Sequence, residues 1–314
     1  MDATTSTAIE AWLDWAENRK GMRPSSVFSY RNTYVRLGDM IAKPLDQFTL
    51  NDLETYQRRP RGKGVVTPAP ATLKREAAEI RHFFQWLRDR DWIAVDPSVL
   101  LEAPTVNNSE PKPLSDEDWC KVWDTDLDRE ERVMLGLGYF IGLRSAEMAW
   151  LRTDQFTWEP RPLISAMERK GGHHQTIPWT SWLALIAEWN PKLLPDPSRF
   201  IKPLQAILGQ GGFVFQKWTR TTFVEPTIVG KRFKRVARAV GVDAHIHQLR
   251  HSFVTNQLRT QRVPLEEVSR NAGHRDVTTT MRYAKTEEDY IGSRLDATAI
   301  LGWTPRAVTK WGSR

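Results

Sequence analysis

Residues Ala103 to Pro113 hold three prolines among polar side chains and show no apolar period. Neither a regular helix nor a strand can run through such a stretch. A chain interrupted in this way divides into two units, and 314 residues are enough for each to close its own core. The boundary falls at a linker over 106–112, between a first unit at 1–105 and a second at 113–314. The first unit reads as helical. Ala8, Ile9, Trp12, Leu13 and Trp15 recur at helical spacing. Pro24 to Ile41 suits a second helix, with proline tolerated in its first turn. Thr49 to Arg58 predicts a short third helix. A polar loop from Arg59 to Pro70 then leads to a long helix, Ala71 to Arg90, expected to bury Leu73, Ile80, Phe83, Phe84 and Leu87.

The second unit opens at Ser115, with Asp118 three residues on, which resembles a capping box. Arg161 to Ala166 and Gln175 to Trp179 are short enough for two strands, with Lys170 and two glycines at the turn between them. The remainder is helical, interrupted by a Pro- and Gly-rich stretch from Pro191 to Gly212. The expected fold class is mostly α with a small β-hairpin, an α+β chain. Cys120 is the only cysteine, so no intrachain disulfide can form, as in a reducing cytosol. The first seventeen residues lack the basic start and apolar run of a signal peptide, and no run of 18 apolar residues offers a membrane span. The formal charge of +7 favours a polyanionic partner.

The chemistry concentrates late in the chain. His247 and Arg250 are three apart, so on a helix they project to one side. A guanidinium there can pair with two phosphoryl oxygens, and the imidazole beside it can move a proton. Taken alone, that spacing usually marks an ordinary surface pair. Gly273-His274 precedes Tyr283 by nine residues. A buried-face tyrosine is normally a packing residue, and with a hydroxyl pKa near ~10 it needs help to act as a nucleophile. Upstream, Arg144 stands three residues before Glu147, the spacing of a simple helix ion pair, and Lys170 would by default be a solvated turn residue. Lys231, Arg232, Lys234, Arg235 and Arg238 fall within eight residues free of acid. On a helix, Lys231, Lys234, Arg235 and Arg238 share one face, opposite Phe233, Val236, Ala237 and Val240, so one side can meet phosphates while the other packs. His173 and His174 lack a surrounding ligand set, and no metal is expected.

In this order and spacing the residues resemble the tyrosine recombinases of the phage integrase family. Gly142-Leu143-Arg144-Ser145-Ala146-Glu147 is similar to the family's first-arginine motif, and Lys170 stands eight residues before Pro178, as the hairpin lysine does. His247-Gln248-Leu249-Arg250-His251-Ser252-Phe253 and Gly273-His274 with Tyr283 resemble the later motifs. His173 and Gln175 stand where the family commonly has basic residues. Phe83, Phe84, Trp86 and Leu87 resemble part of its helical, SAM-like core-binding domain. The resemblance implies a C-shaped clamp and a 3′-phosphotyrosyl intermediate formed by Tyr283. Arg144, Arg250 and His274 would stabilise the transition state, Lys170 would protonate the leaving oxygen, His247 would assist proton transfer, and Glu147 would support. It implies no cofactor, neither metal nor ATP. The implied partners are double-stranded DNA recombination sites and a homotetramer assembled on two of them through a Holliday junction. The tail from about 287 to 314 would dock on a neighbour, a directionality factor has a place in such a system, and the setting would be a bacterial cytoplasm. Helices starting near Met1 leave no room for an arm-binding domain, which predicts short recombination sites. Two other readings use parts of the same set: a type IB topoisomerase that relaxes DNA, and a catalytically silent DNA-binding relative.

Overall fold

The computed structural model describes residues 3–60, 67–106, 110–168, 174–216, 224–260, 263–274 and 276–285. The chain forms two compact units, residues 1–108 and 109–314.

In the first unit, α1 (Ala3–Asp14) runs on as a π-turn over Trp15–Arg19, followed by α2 (Pro24–Ile41), α3 (Leu50–Gln57) and α4 (Pro70–Arg88). Thr49 and Asp52 exchange the two bonds of a capping box, which fixes where α3 starts. Pro70 occupies the first turn of α4, where its missing N–H costs nothing. Apolar stripes meet in one core: Ala8, Ile9 and Trp12, Tyr34 and Leu37, Leu53 and Tyr56, and Ile80, Phe83, Phe84 and Leu87. Leu73 is only half-buried. Two buried carboxylates of α4 are satisfied by partners from elsewhere in the unit and, for Glu79, also by Arg75 one turn earlier on the same helix. Glu76 binds Arg59 at 2.6 Å and Arg36 at 3.1 Å, and Glu79 accepts from Thr33 at 2.5 Å and from Arg75 at 2.6 Å. Buried charges persist only when paired in this way.

The second unit is α5 (Asp116–Asp124), α6 (Arg129–Tyr139) and α7 (Ser145–Ala149), then a small sheet, then α8 (Trp179–Trp189), α9 (Ser198–Leu208), α10 (Pro226–Ala239), α11 (His247–Arg259), α12 (Leu265–Ala272) and α13 (Thr278–Lys285). Ser115 caps α5 by accepting from the Asp118 N–H at 3.0 Å. The sheet has order β1-β2-β3, with β1 (Phe156–Thr157), β2 (Leu163–Glu168) and β3 (His174–Ile177) antiparallel. Ile164 faces Ile177 and Met167 faces Gln175. The sequence missed β1, and β3 stops at Ile177 because Pro178 caps α8 and Trp179 begins it. The Pro- and Gly-rich stretch also contains α9, whose Phe200, Leu204 and Ile207 face the core at helical spacing despite Pro203. At the centre lies α11, buried on most of its circumference from Leu249 to Leu258.

Candidate active site

Gly142 turns the chain from α6 toward α7 at φ +70°. A Cβ there would lie 2.2 Å from the Phe253 ring, so both conformation and space require glycine. The turn leaves Arg144 as the residue preceding α7. Its main-chain N–H donates to Glu147 Oε2 at 2.8 Å and its Nη1 to Oε1 at 2.7 Å. The carboxylate of Glu147 is buried, and by gripping both ends of Arg144 it fixes the guanidinium in advance. Nη2 of Arg144 reaches the Gly273 carbonyl at 3.5 Å.

Arg250 projects from α11 and is almost wholly buried. Its Nη1 donates to the Gly142 carbonyl at 2.6 Å and its Nη2 to the Ala272 carbonyl. Gly273, in the left-handed conformation, ends α12 and delivers both the Ala272 and Gly273 carbonyls to this point. Two guanidiniums therefore bind together three turns that are far apart in the chain: the one before Arg144, the start of α11, and the one before His274. Hydrogen bonds from a charged donor contribute about 1.5–3 kcal/mol each, so these turns hold a fixed mutual position.

His274 follows directly. Its Nδ1 pairs with the Thr280 Oγ1 at 2.8 Å, and Thr280 is fully buried in α13. The His274 and Tyr283 rings lie 20° from parallel with centroids 6.3 Å apart. Tyr283 is buried, and its hydroxyl lies 2.5 Å from Nδ1 of His251. His247, one turn earlier on α11, meets the His251 ring edge-on at 4.9 Å.

The electrostatics follow from this crowding. Burial pushes the Tyr283 hydroxyl above its ordinary pKa, while Arg250, Arg282 and Arg144 pull the other way. Desolvation lowers His247, and Arg250, Arg144 and His245 add to it, although the residue keeps an exposed edge. His251 falls to about 4, first through burial and then through His247, His245, Arg250 and Arg282. Both rings are therefore neutral near pH 7. The site combines two fixed guanidiniums, neutral imidazoles and a shielded phenol. That arrangement suits a phosphodiester, whose oxygens match the guanidinium forks and whose phosphorus the phenol can attack.

Arg144, Glu147, His247, Arg250, His274 and Tyr283 thus meet in one place. Lys170 and the tail beyond 285 lie outside the described residues. On α10, Lys231, Lys234 and Arg238 are exposed, and Val229, Phe233, Val236 and Ala237 are buried on the other side. Arg235 is exposed but paired with Glu131, and Arg232 pairs with Glu130, so these two cations also anchor α10 to the start of α6. Gln175 donates to the Arg270 carbonyl at 3.0 Å, which ties β3 to α12 beside the site. Sequence reasoning gave no separate role to His251 or Thr280. The available signal for His251 was its position one helical turn after His247. Among the described residues, no group of three or more His, Cys, Asp or Glu side chains is placed to hold a metal ion, and no helix is long and apolar enough to cross a membrane.

Residues 120–289 match the phage integrase family. The chain is 26% identical over 314 residues to the tyrosine recombinase XerC of Xylella fastidiosa (strain M23), covering 93% of this chain and 96% of that protein. It is 27% identical over 292 residues to the tyrosine recombinase XerD of Vibrio vulnificus (strain YJ016), covering 88% of this chain and 89% of that one. Among solved structures, it resembles a lambda integrase tetramer bound to a Holliday junction, with TM-score 0.68 and 13% identity over 88% of this chain and 76% of that one.

Proposed function

The chain belongs to the phage integrase family of site-specific tyrosine recombinases, and from that premise we propose how its own residues divide the reaction. Tyr283 attacks the scissile phosphorus. The phenolic O–H bond breaks, an O–P bond forms to give a 3′-phosphotyrosyl ester, and the P–O5′ bond breaks to release a 5′-hydroxyl. Arg144, Arg250 and His274 stabilise the pentavalent transition state, and Glu147 keeps Arg144 in place. Lys170 supplies the proton to the departing 5′-oxygen, and His247 assists proton transfer on the other side. Attack on the ester by the 5′-hydroxyl of a partner strand reverses these steps and completes exchange.

The observation that carries this reading is the pair of guanidiniums bonded to the carbonyls of Gly142, Ala272 and Gly273 beside the buried Tyr283 hydroxyl. Cations able to stabilise charge lie close enough to the candidate nucleophile to act on its hydroxyl, which supports this reading. Residues 1–105 would bind the core of a duplex recombination site, and Lys231, Lys234, Arg235 and Arg238 would add phosphate contacts from α10. The assembly would be four protomers on two sites, by analogy with the lambda integrase tetramer on a Holliday junction. The tail over about 287–314 would link neighbours, and a directionality factor would bias the outcome. Such a reaction would take place in a bacterial cytoplasm.

A suicide substrate nicked near the cleavage point tests the central assignment. The unaltered chain is expected to accumulate a denaturation-resistant adduct, whereas Tyr283→Phe binds the same DNA and forms none. An adduct persisting in that variant would place the nucleophile elsewhere.

A further inference from the structure

The geometry points to His251 as the group that takes the Tyr283 proton during cleavage and returns it on religation. This rests on Tyr283 being the nucleophile. A hydroxyl at 2.5 Å from an imidazole Nδ1 is close even for a hydrogen bond. The rings tilt by 43° with centroids 5.4 Å apart, so the contact is made at the ring edge, through Nδ1. Tyr283 is 5% exposed, which leaves bulk water little access to its proton. The neighbouring imidazoles are placed differently. His274 commits Nδ1 to Thr280, and His247 presents an edge to solvent and its ring to His251.

For Nδ1 to accept, His251 must be neutral with its proton on Nε2. Its surroundings enforce neutrality: the ring is shielded, and His245, His247, Arg250 and Arg282 all disfavour a positive charge. Such a weak base does not remove a phenolic proton from the resting site. It takes the proton as the O–P bond forms, when the phenol becomes strongly acidic, and an incoming phosphodiester charge offsets the arginines and raises ring basicity. In balance, the O–H bond of Tyr283 breaks, an N–H bond forms on His251, and the leaving 5′-oxygen gains its proton from a separate acid. Religation runs the same transfers backward. His251 is thus a catalytic residue in direct contact with a reacting atom, and His247, one turn away, lies where a proton leaving His251 would pass toward solvent.

Two substitutions separate proton acceptance from simple positioning. His251→Phe keeps a ring and removes the acceptor. His251→Asn offers an oxygen near the position of Nδ1 that can orient the hydroxyl but cannot take up a proton. With the full chain and a nicked suicide duplex, both are expected to retain site binding and to form adduct about 100- to 10,000-fold more slowly. A substrate with sulfur at the bridging 5′ position should leave the defect in place, because the impaired step lies at the nucleophile. Incorporating the more acidic 3-fluorotyrosine at position 283 should recover part of the rate in His251→Phe. Adduct formation by His251→Asn at close to the wild-type rate would overturn the inference and leave His251 a positioning residue. Should both variants lose DNA binding, nitrogen NMR of the unaltered chain decides: a His251 Nδ1 that carries a proton in the neutral ring would equally overturn it. The two readings fail separately. An adduct in Tyr283→Phe defeats the nucleophile assignment, whereas a fast adduct on Tyr283 in the His251 variants defeats only this inference.

Discussion

Gly142→Ala changes one hydrogen to a methyl group at the point where Arg250 grips the turn before Arg144. Two costs follow from the structure. The residue holds φ +70°, a region that costs a side chain with a Cβ about 1–2 kcal/mol. The new methyl would also lie 2.2 Å from Phe253 Cδ1 and 2.7 Å from its Cε1. The ring has little space to retreat, since Phe253 is buried and stands against Trp182 at 5.1 Å between centroids. Overpacking of this kind costs about 1–3 kcal/mol. Together the substitution should remove about 2–5 kcal/mol, a large share of the ~5–15 kcal/mol that holds a domain folded.

Relief of that strain pushes the turn away from α11, and the Gly142 carbonyl with it. The 2.6 Å bond to Arg250 lengthens, and the guanidinium loses one of its fixed supports. A clamp residue displaced on the order of 1 Å can cost about 100-fold in rate, so adduct formation should fall even where the variant remains folded. Urea unfolding gives the stability, and single-turnover cleavage of a nicked duplex gives the rate. Phe253→Leu supplies the control, because it vacates space beside position 142 without touching the backbone angle. The double variant should be less destabilised than the sum of the single losses, with the residue of the cost due to φ alone. A Gly142→Ala protein with an unchanged urea midpoint, or strictly additive losses in the cycle, would refute the reasoning.

Much of this architecture was legible because helices announce themselves by period and by caps. The stripe from Ile80 to Leu87 and the Ser115 cap needed only local chemistry. The failures have equally local causes. Pro203 and the surrounding glycines masked the Phe200, Leu204 and Ile207 stripe of α9. Two residues are too few for β1 to show an alternating pattern. Gln175 to Trp179 alternates like a strand up to Pro178, where an apolar run with helical spacing takes over. At the site, side chains were readable and their supports were not. The Gly142, Ala272 and Gly273 carbonyls that hold the arginines belong to main chain, which any residue supplies. The contact of His251 with Tyr283 spans 32 positions and exists only once α13 has packed on α11. Arg235 read as a phosphate ligand within a basic run, while its pairing with Glu131 depends on where α6 begins.

Lys170→Ala should slow cleavage by about 100- to 10,000-fold, the usual worth of a general acid. A bridging 5′-sulfur substrate should restore most of that rate, and failure to do so would make Lys170 a phosphate-binding residue. Removing Lys231, Lys234 or Arg238 by alanine should weaken binding alike on specific and unrelated duplexes, lowering the salt-dependence slope by roughly 0.9 for each phosphate no longer neutralised. A slope that stays unchanged would place α10 away from DNA. Acid should destabilise the fold through His251, whose pKa is about 4 in the folded protein against ~6.5 for an ordinary, unfolded imidazole. The unfolded chain therefore binds the extra proton between those values, so this contribution is complete above pH ~6.5 and is lost as pH falls toward 4. Solvent reaches part of the ring, which trims the linkage to roughly 1–2 kcal/mol. Between pH 7 and pH 4.5, the urea midpoint of the unaltered chain should drop further than that of His251→Phe, because only the former has an imidazole to protonate on unfolding. Parallel losses in the two proteins would mean that the His251 ring is as easily protonated in the folded site as in water, and with that its neutrality beside Tyr283 would fall.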